Sequence, residues 1–162
     1  MKNLLTRLHS LHDAVFNAFG YLKSPFLLFV RLYWGLQLMR NGWAKLHNLS
    51  NVTDFFASLH IPAPAFTATF VSGLECFGGL LLAIGLFSRI ISLMLTVNLI
   101  VAYVTADNEA LHAIFSDPDK FMAAAPFTFL WAALIILILG PGLFALDTLF
   151  ARLFGWNKQS AP

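Results

Sequence analysis

The stretch Ala65–Phe87, AFTATFVSGLECFGGLLLAIGLF, decides the fold class. It follows the breaker Pro62-Ala63-Pro64 and carries one charge, Glu75, in its middle. A helix crosses a hydrocarbon core of ~30 Å with about 20 mostly apolar residues, each rising ~1.5 Å. This run is long enough and apolar enough to do so. Three more runs qualify on either side. Pro25–Lys45 opens at Ser24-Pro25, where proline suits a first helical turn. Ile90–Thr105 is short, is interrupted by Asn98 and ends at Asp107-Asn108-Glu109. Phe121–Leu139 stops at Gly140-Pro141-Gly142. The expected fold is an all-α integral membrane protein, a bundle of four transmembrane helices forming a single domain over residues 1–162.

Composition agrees. Hydrophobic residues make up 59% and charged residues 11% of the 162, with a mean hydropathy of +0.75. Ordinary globular chains stand near 45–50% and about 25%. The net charge of +2 is small and the basic residues are scattered, which argues against nucleic acid as a partner. A single cysteine, Cys76, excludes an intramolecular disulfide and a multi-cysteine metal or iron–sulfur site within this chain. The five histidines show no metal-ligand spacing, so no metal is expected.

The flanking segments are amphipathic. Leu4, Leu8, Leu11, Val15 and Phe19 recur at helical spacing, so residues 3–20 are expected as a surface helix, not a signal peptide. Residues 52–59 and 143–154 have the same interfacial character. With both termini in the cytoplasm, six Lys and Arg lie on the inner side and three on the outer. That bias favours cytoplasmic termini.

A charge at mid-bilayer costs several kcal/mol, so it turns into the bundle and finds a partner. Counted from the expected span ends, Arg31 lies ~9 Å, Asn98 ~12 Å and Glu75 ~15 Å deep, close enough for one polar layer. Arg31, Gly35, Leu38, Gly42 and Lys45 share one face of the first span. Ala68, Ser72, Glu75, Gly78, Gly79 and Leu82 share one face of the second. Small residues let membrane helices approach closely, so these faces are the expected contacts. An Arg31–Glu75 pair either fixes helix register or leaves Glu75 to titrate or bind a ligand. Trp34 and Tyr103 are candidates to line an aromatic pocket, although membrane-interface belts explain such residues equally well.

These residues carry a family resemblance. Arg31, Gly35 and Asn41-Gly42-Trp43-Ala44-Lys45 resemble the first span of the DoxX family. Glu75-Cys76-Phe77-Gly78-Gly79, running on to Ser88-Arg89, resembles the second. Gly140-Pro141-Gly142 followed by Leu146-Asp147 resembles its C-terminal signature. The resemblance implies a small four-helix protein of the bacterial inner (plasma) membrane. It implies a link to thiosulfate:quinone oxidoreductase or to complexes handling thiol and oxidative stress. It also draws attention to Arg31, Lys45, Glu75 and Arg89. The function expected on this basis is a membrane subunit of a quinone-linked redox system. Glu75 would handle protons, Arg31 would be its charge partner, and Asn98, Lys45, Trp34 and Tyr103 would be ligand-binding. Quinone is the expected ligand, with no covalently bound cofactor. The electron donor would be a soluble or membrane redox partner protein, or a soluble reductant. The alternatives are a non-catalytic membrane anchor or assembly factor and, more remotely, a small transporter or an oligomeric pore.

Overall fold

In a computed structural model the backbone is described for residues 2–155 and the side chains for residues 20–155. The described residues are helical and contain no strand. In chain order the helices are α1 (Lys2–Leu46), α2 (Leu49–Ser58), α3 (Pro64–Gly73), α4 (Gly79–Ile84), α5 (Ser88–Thr105), α6 (Asn108–His112), α7 (Pro118–Ala123), α8 (Pro126–Leu139) and α9 (Leu146–Leu153). A wider π-turn, Leu74–Gly78, joins α3 to α4 without a break.

Among the described residues two helices are long and apolar enough to cross a membrane: the α3–α4 unit, Pro64–Ile84, and α5. The other two expected spans have different boundaries. The first does not begin at Pro25, because α1 runs through that residue from Lys2. Proline inside a helix removes one backbone hydrogen bond and bends the helix without necessarily ending it, and membrane helices tolerate this. At this point the Ser24 hydroxyl accepts from the Leu143 amide (3.4 Å), tying α1 to the segment before α9. The surface placement expected for residues 3–20 concerns side chains outside the described set. The stretch expected as a fourth span is divided between two helices. Pro126 has no amide hydrogen to continue α7, Ala124 is extended, and a shorter apolar helix starts afresh at Pro126.

The core lies where α1, α4, α5 and α8 meet. Val30, Leu38, Leu82, Leu95, Ala132, Ala133 and Ile136 are all buried there. The α4–α5 hairpin turns on Gly85 and Phe87, both in the left-handed region (φ 77° and 52°). That conformation is easy for glycine and strained for phenylalanine. The Asp147 carboxylate compensates by accepting from the Phe87 and Ser88 amides at 2.7 and 2.8 Å. These are orphan donors at the start of α5, where negative charge is also favoured by the helix dipole.

Candidate functional site

The site begins with glycines. A Cβ on Gly42 would collide with backbone atoms of Cys76 and Ser72, and one on Gly35 would lie 2.8 Å from the Gly79 carbonyl oxygen. From the other side, a Cβ on Gly79 would lie 2.5 Å from the Met39 amide nitrogen. So α1 runs antiparallel to the α3–α4 unit with the two backbones in direct contact. Gly42 presses on the π-turn itself. The close approach needs residues without side chains, as expected where packing replaces the hydrophobic effect.

This register sets the charges. Lys45, one turn beyond Gly42, places its Nζ 2.8 and 2.7 Å from the two Glu75 carboxylate oxygens. Glu75 stands on the π-turn, eleven residues from Pro64 and nine from Ile84, near the middle of a helix unit of 21 residues. Such turns occur often at functional sites because they re-aim side chains locally. The Glu75 side chain is 8% exposed and that of Lys45 39%, so the ammonium reaches an open space while the carboxylate is enclosed.

The open space is a cavity of about 450 Å³. Lys45, Glu75 and Asn41 form one polar wall, and Asn98 contributes from α5. Phe55, Phe56, Val71, Leu99 and Phe129 provide much of the apolar lining. Asp107 and Ala106, at the end of α5, form a further edge. A mostly apolar pocket with a few convergent polar groups is the usual form of a small-molecule site.

A family model described as DoxX matches residues 26–108, which is 83 of the 162 residues and therefore more than half the chain. The chain belongs to the DoxX family. It is a membrane protein, and the matched region contains all of α2 to α5 and the Lys45–Glu75 pair. It is 28% identical over 103 residues to the "Putative oxidoreductase CatD" of Bacillus subtilis (strain 168), covering 64% of this chain and 69% of that protein. No solved structure matches the chain.

In this DoxX protein the partner of Glu75 is Lys45, and the expected Arg31–Glu75 pair does not form. Arg31 is fully buried at the other end of the bundle, with its guanidinium against Gly85 and Asp147 as the facing charge. Gly85 is ten residues from Glu75, ~15 Å along the helix and beyond the reach of an arginine. Depth counted from Pro25 misplaces Arg31 because α1 does not start there, and the glycine contacts fix the register. Among the described residues none of the three guanidinium nitrogens has a hydrogen-bond partner.

Trp34 and Tyr103 do not line the cavity either. Trp34 packs against the core and meets Phe29 and Tyr33 edge-on. Tyr103 is 2% exposed, donates its hydroxyl hydrogen to the Phe121 carbonyl oxygen (2.9 Å) and stacks on the Phe121 ring. Asn98 does reach the cavity, so the structure brings Glu75, Lys45 and Asn98 together. Arg89 is exposed and its guanidinium lies near Gly140, away from the pair. Sequence reasoning missed Asn41 and Asp147. Asn41 sits inside the quoted Asn41–Lys45 motif, and Asp147 closes the C-terminal signature. A buried arginine in need of an acid pointed to the latter.

Proposed function

We propose that this DoxX protein is the membrane subunit of a quinone-linked redox system, and that a quinone head group occupies the cavity beside Lys45 and Glu75. The observation that carries this reading is a two-oxygen ion pair in the wall of an apolar cavity, midway along an apolar helix unit. The relative named as an oxidoreductase supports the reaction class. A quinone held there takes up two electrons and two protons. Lys45 would donate a hydrogen bond to a ring oxygen. Glu75 would hold a proton at its carboxylate, away from bulk water, where general acid–base work is effective. Asn41 and Asn98 would orient the ring from either side. The chain's one cysteine cannot form a dithiol, so the electrons are expected from a redox partner protein or a soluble reductant.

The topology belongs to the same proposal. The part of α1 after Pro25, the α3–α4 unit, α5 and the α7–α8 segment would be four spans of a bacterial inner membrane. Both termini would be cytoplasmic, and α2 and α9 would lie at opposite interfaces. Neither α2 nor α9 buries a residue, and Phe55, Leu149, Phe150 and Leu153 are exposed. Those exposed helices are also what a non-catalytic anchor would use for docking.

Titration of nanodisc-embedded protein with ubiquinone or menaquinone, read by tryptophan quenching, separates the two readings. We expect saturable quenching in the wild type and at least about tenfold weaker binding for Glu75→Gln, an energy in the range of one hydrogen bond to a charged group. Absence of saturable binding, or binding indifferent to Glu75→Gln, rejects the quinone reading. Lost folded yield for Glu75→Ala with no ligand bound by the wild type would support the anchor.

A further inference from the structure

We propose that the cavity is filled sideways from the lipid, between α3 and α5, so that its ligand is a membrane-dissolved quinone whose isoprenoid tail stays outside the protein. The inference rests on the quinone reading and adds the route and the class of quinone. It starts from how the helices diverge. The π-turn and α4 pack against α5, but α3 makes no comparable contact with it. Nor does α2, which packs on α3 and α1. The α3–α4 unit and α5 therefore form a V, closed at the Gly85 hairpin and open toward α2. The cavity fills that V, with Leu38 and Lys45 of α1 behind it.

The front of the V is where lipid lies. Ile90, Met94, Val97, Val101 and Val104 follow one another at three- and four-residue steps on α5, and all are exposed. That is the pattern of a lipid-facing stripe. Val101 belongs to this stripe and also lines the cavity, and Phe55 of α2 likewise is both exposed and lining. Two apolar residues shared by an outer surface and an inner wall define an opening onto the acyl chains. The edge at Ala106 and Asp107 is different. It lies at the end of α5 beside a carboxylate, which suits exchange of protons with water.

Size decides what passes. A cavity of about 450 Å³ suits a one- or two-ring head group and leaves no room for a polyisoprenoid chain as well. With the ring against Lys45 and Glu75, the tail leaves past Val101 and Phe55 into lipid at no cost in apolar exposure. A tail directed past Asp107 would meet water, at about 0.8 kcal/mol for each exposed methylene.

The test compares a long-tailed quinone with its tail-less, water-soluble counterpart by stopped-flow tryptophan quenching in nanodiscs. Val101→Phe narrows the lipid side and Ala106→Phe the water side, and neither adds a fluorophore. Val101→Phe should slow association of the long-tailed quinone about tenfold while changing the tail-less one little, within the span usual for mutants of one site. Ala106→Phe should slow the tail-less quinone more than the long-tailed one. Val101→Ala, which cannot block the opening, should associate at least as fast as wild type and so controls for folding. If Val101→Phe leaves the long-tailed rate unchanged, or slows both quinones equally, sideways entry is wrong although quinone binding stands. If neither quinone binds the wild type, the reading beneath it fails instead.

Discussion

Two cations on one face of α1, Arg31 and Lys45, each have an acid nearby, but only Lys45 bonds to its acid, and the two sites could hardly be built more differently. They stand fourteen residues apart, ~21 Å along the helix. At Arg31 there is no space: the guanidinium is fully buried against Gly85, and Asp147 is committed to two backbone amides of α5. At Lys45 the ammonium is more than a third exposed and its acid lines a cavity. A buried charge is costly in both places. Only the second site leaves its charges accessible to something that is not protein. The difference teaches that burial of charge does not mark a working site; burial beside room does. Asp147 is a clamp joining the α4–α5 hairpin to the start of α9, with the Arg31 guanidinium of α1 buried nearby but not bonded to it. Lys45–Glu75 is the candidate for chemistry.

The largest effect should come from breaking the clamp. Asp147→Ala removes the charge facing Arg31 and uncaps the Phe87 and Ser88 amides in one step. Leaving the fully buried Arg31 with no facing charge, together with two uncapped amides, should cost about 3–5 kcal/mol, so little folded protein should survive extraction in detergent. Asp147→Asn keeps an acceptor for the amides and should recover part of the yield. Equal stability of Asp147→Ala and wild type, by thermal unfolding in detergent, would show that the site is not a clamp.

Next comes the contact that sets the register. Gly42→Ala places a methyl group against backbone of Cys76 and Ser72, atoms that cannot turn aside. The helices must separate, at about 1–3 kcal/mol. The displacement acts at the turn that carries Glu75, so quinone quenching should weaken together with the melting temperature. A variant with wild-type stability and wild-type quenching would mean that α1 does not press on the π-turn.

How far the sequence foretold this contrast depends on the distance over which each feature is encoded. The apolar runs announced α3–α4 and α5, because crossing a bilayer requires composition that any single stretch displays. The shared depth of Glu75 and Asn98 was also legible: each stands ten residues from its end of the hairpin, counted from Gly85 and Ser88. The partner of Glu75 was not legible. It depends on the register of α1 against a helix thirty residues away, and that register is written in Gly35, Gly42 and Gly79, not in the charges. A breaker at Pro25 set the wrong origin for the count. The π-turn left no signal beyond the paired glycines that follow Glu75.

The open pair should respond in the opposite proportion to the clamp. Glu75→Gln leaves Lys45 without its acid, but the ammonium is exposed enough to turn toward water. The stability loss should stay near 1 kcal/mol, well below that of Asp147→Ala, while the quenching loss is the larger of the two. A stability loss as great as at Asp147 would erase the distinction and make Lys45–Glu75 a second clamp.

The smallest effect tests whether burial, rather than the pair itself, is responsible. Lys120 and Glu109 form an ion pair of 3.0 Å between α7 and α6, nearly as short as Lys45–Glu75, but with the carboxylate side chain 88% exposed. The hydrogen bond from Lys120, with its charge, holds the Glu109 carboxyl below the usual carboxylate range. Because the folded value is the lower one, any stability from this pair is present above the ordinary glutamate range and is lost as pH falls through the lowered value. In water such pairs are screened and contribute little. Glu109→Gln should therefore melt within about 2 °C of wild type at neutral pH and track it as the pH is lowered. The same two chemical groups at nearly the same distance would then have different weights at Lys120 and at Lys45. Solvent access is what separates them.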